Sequence, residues 1–260
     1  MLLGVNIDHI AVLREARKIA DPDPIDALSI VKRAGADQIT IHLREDRRHI
    51  RDSDAENIVK FSTLPVNLEC ATATEIIDIV THLKPHRATI VPEKREEVTT
   101  EGGLAVTGEQ LSLKRAIDKL HGNEIEVSLF IDPTVKSIEA AKSLGAEWIE
   151  FHTGKYANIY AMLYGNLLNT PYSIPELELP RATLNKMLLE EIGELSRLSR
   201  DAVELGLRVA AGHGLNYQNV RKIVEMESIE ELNIGQSIIA RSIYTGLEQA
   251  ILDMRALMFR

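Results

Sequence analysis

Ala34-Gly-Ala-Asp-Gln-Ile-Thr-Ile-His-Leu-Arg44 holds a complete structural joint. The glycine closes the apolar stripe of Pro24–Ala34, and glycine takes the left-handed C′ position of a helix without steric cost. Beyond it, Gln38, Thr40, His42 and Arg44 alternate with Ile39, Ile41 and Leu43. That period of two predicts a strand. The same joint recurs at Leu144-Gly-Ala-Glu-Trp-Ile149 and Leu205-Gly-Leu-Arg-Val209. Three copies of one helix-to-strand joint predict a βα-repeat chain with a parallel sheet.

Working outward, short β-branched runs fall at Leu3–Ile7, Gln38–Leu43, Val66–Glu69, Arg87–Val91, Glu126–Ile131, Trp148–Phe151, Arg208–Ala211 and Glu231–Ile234. Amphipathic stretches such as Ala73–Leu83, Leu111–Leu120, Val135–Leu144 and Leu195–Leu205 lie between them. Eight strands in 260 residues predict one (β/α)8 TIM barrel over residues 1–260. An open doubly wound sheet is the alternative, but no Gly-x-Gly-x-x-Gly follows the first strand. One parity of each strand is apolar and the other often polar: Asn67 and Glu69 against Val66 and Leu68, Glu150 and His152 against Ile149 and Phe151. In a barrel the apolar parity meets the helices and the polar parity points into the lumen. Tyr156–Leu189, with its Tyr-Gly-Asn, Thr-Pro-Tyr, Ile-Pro and Leu-Pro breaks, is too long for an ordinary connection. It reads as an insertion after the sixth strand: a lid, a subunit contact or a flexible segment.

Composition narrows the function. A net charge of -9 argues against nucleic-acid binding, while leaving room for a locally positive pocket. A single cysteine, Cys70, fits a reducing cytosol and leaves no intramolecular disulfide. The first residues lack the basic region of a signal peptide, and no run approaches the roughly 18 apolar residues of a membrane span. A cytoplasmic location is expected.

Four of the eight histidines, His9, His42, His152 and His213, close predicted strands. Carboxyl ends of barrel strands are where ligands bind and chemistry occurs. His42, Arg44, Arg47, Arg48, His49 and Arg51 form a dense basic cluster. It reads equally as an anion site or as a solvated loop neutralised by Glu45, Asp46 and Asp52. Asp8 beside His9 can orient the ring or cap a helix, and Asn6 shares its parity. Glu69 is a strand-end carboxylate suited to a general base if burial raises its pKa. Thr99-Thr-Glu-Gly-Gly103, Gly212-His-Gly214 and Gly235-Gln-Ser237 offer backbone N–H groups for anions, the last two in the usual phosphate position of such barrels. His82, His86 and His121 need no role beyond helix ends and loops. No His-x-His or His-Glu-x-x-His motif is present, although scattered strand-end ligands leave a metal-dependent barrel hydrolase as the second reading. A non-catalytic phosphate-binding protein is the third.

The motifs Asn6-Ile-Asp-His9, Leu13-Arg-Glu-Ala-Arg17, Ile41-His-Leu-Arg-Glu-Asp-Arg-Arg-His49, Asn67-Leu-Glu69, Val91-Pro-Glu-Lys-Arg95, Thr99-Thr-Glu-Gly-Gly103, Glu150-Phe-His-Thr-Gly154, Ala211-Gly-His-Gly214 and Glu231-Leu-Asn-Ile-Gly235 occur in order along nearly the whole chain. Together they resemble the pyridoxine 5′-phosphate synthase family, the ring-closing enzymes of the deoxyxylulose-dependent vitamin B6 pathway. The resemblance implies a (β/α)8 barrel that condenses 3-amino-2-oxopropyl phosphate with 1-deoxy-D-xylulose 5-phosphate. Pyridoxine 5′-phosphate, phosphate and water would be the products. It implies no metal, no organic cofactor, and a homo-octamer built from dimers. By motif position, His42 and Glu69 would accept protons, His213 would donate one, and Glu150 would stabilise a transition state. Asn6, Arg17, Gly214, Gly235 and Gln236 would hold the amino-ketone phosphate. Asp8, His9, Arg44, His49 and Thr99 would hold the deoxyxylulose phosphate. Two departures stand out: Gly235-Gln236 replaces the family's Gly-His, so that contact cannot titrate, and the Tyr156–Leu189 segment is longer than the pattern.

Overall fold

A computed structural model describes residues 1–93, 102–106 and 110–259. Eight parallel strands close into a barrel in chain order: β1 (Leu2–Asn6), β2 (Gln38–His42), β3 (Val66–Cys70), β4 (Arg87–Ile90), β5 (Glu126–Ile131), β6 (Trp148–His152), β7 (Arg208–Gly212) and β8 (Glu231–Ile234). All eight expected strands are present, and β8 pairs with β1 to close the ring. The outer layer comprises α1 (Asp8–Arg17), α2 (Ala27–Arg33), α3 (Asp52–Phe61), α4 (Thr74–Leu83), α5 (Gln110–His121), α6 (Val135–Leu144), α7 (Gly154–Tyr164), α8 (Arg181–Glu204), α9 (Val220–Val224), α10 (Gln236–Thr245) and α11 (Leu247–Met258).

The glycine joints form as the sequence requires. Gly35, Gly145 and Gly206 all have positive φ, and each hands a helix to the next strand. The apolar parity, including Val5, Ile39, Ile41, Leu68, Leu129, Ile149, Val209 and Leu232, is fully buried between strands and helices. Each such side chain contributes about 1.5–3 kcal/mol of transfer free energy, which favours this register over a one-residue slip. Cys70 lies in this apolar layer, and burial pushes its thiol far above the ordinary range. It is a core residue rather than a nucleophile.

The polar parity fills the lumen as a connected network. Buried Glu231 accepts from Arg87 at 2.8 Å, from Gln38 at 3.1 Å and from Asn233 at 3.2 Å. Thr40 donates to Asn233 Oδ1 at 3.1 Å, and Thr89 donates to Asn67 Oδ1 at 2.7 Å. At the amino-terminal end of the barrel, the Trp148 ring carries Arg87 Cζ 3.7 Å and Arg208 Cζ 3.9 Å from its centroid. Pairing of this kind is what makes so many buried polar groups tolerable.

The expected insertion is shorter than its sequence suggests. Residues from Gly154 to Tyr164 form α7, directly after β6. Tyr156, Tyr160 and Tyr164 recur at i, i+4, with ring centroids 6.1 and 5.0 Å apart. Their hydroxyls donate to Asn219 O, Gln218 O and Asn185 Oδ1. The second helix starts at Arg181, just after Pro180, well before the expected Leu195. Proline lacks an N–H and suits that entry position. Irregular backbone is thus confined to residues 165–180, which include two short 3-10 turns. Among the described residues no helix is long and apolar enough to cross a membrane.

Candidate active site

At the end of β1 the chain turns into α1 through a tight carboxamide–carboxylate pair. Asn6 Nδ2 donates to Asp8 Oδ2 at 2.9 Å, and Asp8 N–H donates back to Asn6 Oδ1 at 2.9 Å. The other Asp8 oxygen accepts the backbone N–H of His42 at 2.9 Å. Asp8 does not cap α1, whose N-cap residue, Ile7, makes no side-chain bond. It clamps β1 to the last residue of β2. His9 follows with Nδ1 buried and without a partner. Burial lowers its pKa against the pull of Asp8, so the ring favours the neutral form.

His42 is buried and sits opposite Glu69 in the β2–β3 register. Its Nδ1 is 3.8 Å from Glu69 Oε2, too long for a hydrogen bond. Its Nε2 is 2.8 Å from Glu93 Oε1. Burial, with Glu150 and Asp8 nearby, drives the Glu69 carboxyl well above the ordinary range. Burial would raise Glu93 too, but hydrogen bonds from His42 and the Glu45 N–H, together with Arg44, hold it below that range. The mouth thus carries one carboxyl biased neutral and one biased ionised on either side of a single imidazole.

The basic cluster divides. Arg47 pairs with Asp52 and Glu75, Arg48 with Asp46, and Arg51 with Glu15, so these three follow the solvated-loop reading. Arg44 is buried, with Nε donating to Asp46 at 3.2 Å. His49 Nδ1 accepts the Ile50 N–H at 2.9 Å, which leaves Nε2 as its donor in the neutral ring. Its ring centroid is 6.2 Å from that of His42. Arg14, absent from the expected set, donates to Asp54 and to the His49 carbonyl and so fixes this loop.

Across the mouth, Glu150 lies two register pairs below His152 on β6, on the same face. Burial raises its carboxyl to about 8, against a hydrogen bond from Asn233 that lowers it. A Cβ at Gly212 would meet Glu150 Oε1 at 2.1 Å, so only glycine leaves room for this carboxyl. His213 has φ +75 and Gly214 φ +80. The single Thr153 hydroxyl hydrogen is shared between Gly212 O at 2.6 Å and His213 O at 2.8 Å, which holds the strained turn in place. The rings of His152 and His213 lie 4.7 Å apart, with Phe130 5.3 Å from His152. Burial, and then the neighbouring His152, lower His213 to about 4. His152 Nδ1 is 3.2 Å from Asp132 Oδ1, and its Nε2 is buried without a partner. Gly235 precedes α10, and Gln236 is its first residue. The Ile238 and Ile239 N–H groups donate to Gly235 O, and those of Gln236 and Ser237 stand ahead of the helical ladder, where an anion is favoured.

The structure therefore brings Asn6, His42 and Glu69 to strand ends, Asp8, His9, Arg44 and His213 to the residues just after strands, His49 to the loop between β2 and α3, and Glu150 into the barrel wall at the middle of β6. Gly214, Gly235 and Gln236 sit at the starts of the loops or helices after β7 and β8. Arg17 stands apart, exposed at the far end of α1, about 14 Å of helix rise from Asp8. Thr99 lies outside the described residues. Glu93 and Asp132 were missed as site residues. The Val-Pro-Glu triplet after β4 was the available signal for Glu93.

The family model described as pyridoxal phosphate biosynthesis protein PdxJ matches residues 3–260. Pyridoxine 5′-phosphate synthase of Sulfurovum sp. (strain NBC37-1) is 72% identical over 258 residues, covering 99% of this chain and 100% of that protein. The synthase of the same name from Aliarcobacter butzleri (strain RM4018) is 65% identical, covering 99% and 98%. Among solved structures, phosphoribosylanthranilate isomerase from Thermotoga maritima aligns with a TM-score of 0.57 at 10% identity, over 99% of this chain and 98% of that one. A 4-hydroxy-2-oxoglutarate aldolase from TTHB1 aligns at 0.60 and 11% identity, over 99% and 94%. These two likenesses speak to the barrel alone. With the family model running almost end to end and such similar relatives matched over nearly their full length, the chain belongs to the PdxJ family of pyridoxal phosphate biosynthesis proteins.

Proposed function

We propose that this enzyme is a pyridoxine 5′-phosphate synthase that condenses 3-amino-2-oxopropyl phosphate with 1-deoxy-D-xylulose 5-phosphate. Family membership supports the reaction, and the geometry supports the assignment of roles. The single observation that carries it is the convergence of His42, Glu69, Glu150 and His213 on one barrel mouth, with burial raising the two carboxyls and lowering His213.

Amine addition to a ketone, loss of water and ring closure each need a proton moved at a defined atom. A positioned group contributes about 10²–10⁴-fold to each such transfer. Glu69, raised by burial, is a stronger base once ionised than an exposed carboxylate, and His42 lies beside it. Glu150, raised to about 8, can remain a neutral hydrogen-bond donor at pH 7 beside developing negative charge. Burial and His152 bias His213 neutral, and a bound phosphate dianion would raise its pKa and charge it as a donor. Buried Arg44 and the Nε2–H of His49 suit one phosphate, while Gly214 and the start of α10 suit the other. Gln236 offers an amide donor there without titrating.

The test is direct. Purified protein treated with a chelator should form pyridoxine 5′-phosphate and inorganic phosphate from the two substrates. Absence of product, or a strict metal requirement, would sink the reading. The cytoplasmic location and the octamer built from dimers belong to the same proposal. Cell fractionation and sedimentation check them.

A further inference from the structure

We propose that Glu93 is a positioning residue for His42: it holds the imidazole proton on Nε2 and turns the bare Nδ1 toward Glu69 and the mouth. This rests on His42 acting as a base in the proposed condensation.

His42 is held at its backbone and at its ring by different chain segments. The Asp8 carboxylate, at the first residue of α1, accepts the His42 backbone N–H. Glu93 Oε1, two residues past the Val91 that follows β4, lies 2.8 Å from Nε2. Glu93 is itself held, because the Glu45 N–H donates to its Oε2 at 3.0 Å. Its side chain is only 5% exposed. An ionised carboxylate has no hydrogen to give, so the hydrogen in the 2.8 Å contact belongs to Nε2. In the neutral ring Nδ1 must then carry the lone pair. The nearest acidic group on that side, Glu69 Oε2, stands 3.8 Å away, leaving Nδ1 free for a substrate proton.

The consequence for catalysis is a division of labour. When a substrate O–H or N–H gives its proton to Nδ1, the electron pair stays on the substrate atom and the ring becomes imidazolium. That cation forms against the Glu93 carboxylate, which stabilises it without taking the proton. Without Glu93, nothing described at Nε2 selects the tautomer, and the Nδ1–H form would present no base to the mouth. A carboxylate behind a catalytic imidazole acts this way in other enzymes, where exchanging it for an amide leaves the geometry but inverts the tautomer.

The experiment compares Glu93→Gln, Glu93→Asp, His42→Ala and the His42→Ala/Glu93→Gln pair with wild type, each checked by thermal melt for folding. Glu93→Gln is expected to lower kcat at least about tenfold with KM changed by less than about threefold, and Glu93→Asp to restore part of the loss. Adding Glu93→Gln to His42→Ala should change the residual rate by less than about twofold, since the effect runs through His42. In ligand-free wild-type protein, 15N-resolved imidazole NMR should place the His42 proton on Nε2, and in Glu93→Gln that preference should weaken or invert. A wild-type Nδ1–H tautomer would overturn the proposal, as would a Glu93→Gln enzyme with undiminished kcat. The tautomer is read without turnover, so it decides the Glu93–His42 relation even if wild type makes no pyridoxine 5′-phosphate.

Discussion

Asn233 donates from Nδ2 to Glu150 Oε2 at 2.7 Å, tying β8 to a carboxyl buried in the wall of β6. That bond favours the ionised form, yet burial outweighs it and the carboxyl titrates at about 8, against an ordinary 4.5. Between these two values the folded protein keeps a proton that the unfolded chain has lost. Stability from this site is therefore present at low pH and falls as pH rises from about 5 to 8. Glu150→Gln keeps the shape and still accepts from Asn233, but removes the titration. Wild type should lose stability relative to Glu150→Gln across that window, by on the order of a few kcal/mol. Thermal melts of both proteins at pH 5 and pH 8 measure it, and parallel behaviour would contradict the buried neutral carboxyl. Turnover should drop in the variant below about pH 8, because an amide N–H is a weaker donor to developing negative charge than the neutral carboxyl it replaces.

His213 shows the opposite sign. Its pKa is lowered from 6.5 to about 4, so the folded ring stays neutral while the unfolded one charges. The stabilising contribution is complete above pH 6.5 and is lost as pH falls toward 4. His213→Asn tolerates the left-handed φ of +75 better than most replacements and removes this acid sensitivity. Ring titration by NMR should place the wild-type midpoint near 4 in the empty site and well above it with inorganic phosphate bound. A midpoint near 6.5 without phosphate would show that the ring is not desolvated by Phe130 and His152.

Much of the barrel was legible because its signals are local. Gly35, Gly145 and Gly206 mark their joints within one turn of chain, and the polar parity of β2, β3, β6 and β8 foretells the lumen. The strand-end residues follow from the same parity. What stayed hidden depends on partners distant in sequence. Nothing within the His42–His49 segment says that Glu75, far along the chain in α4, captures Arg47, or that Glu15 in α1 captures Arg51. Glu93 meets His42 across 51 residues, through a loop that has no periodicity to announce its direction. α7 was obscured by the proline-rich run after it, although its three tyrosines at i, i+4 were a helical signal in plain view.

The lumen's other end offers a stability test independent of catalysis. Arg87 is buried, donates to Glu231 at 2.8 Å and to Glu126 at 3.1 Å, and stacks on Trp148. Arg87→Met fills similar space but leaves Glu231 in the lumen without its guanidinium partner, held among the described residues by the longer Gln38 and Asn233 bonds. Breaking a buried pair from one side costs about 3–5 kcal/mol, because the remaining charge is uncompensated. Arg87→Met should therefore unfold at markedly lower denaturant concentration. Adding Glu231→Gln should recover most of the loss, since a neutral amide needs no counter-charge. If the double variant is no more stable than Arg87→Met, the loss comes from the Trp148 stack and the Glu126 bond rather than from the stranded Glu231 carboxylate.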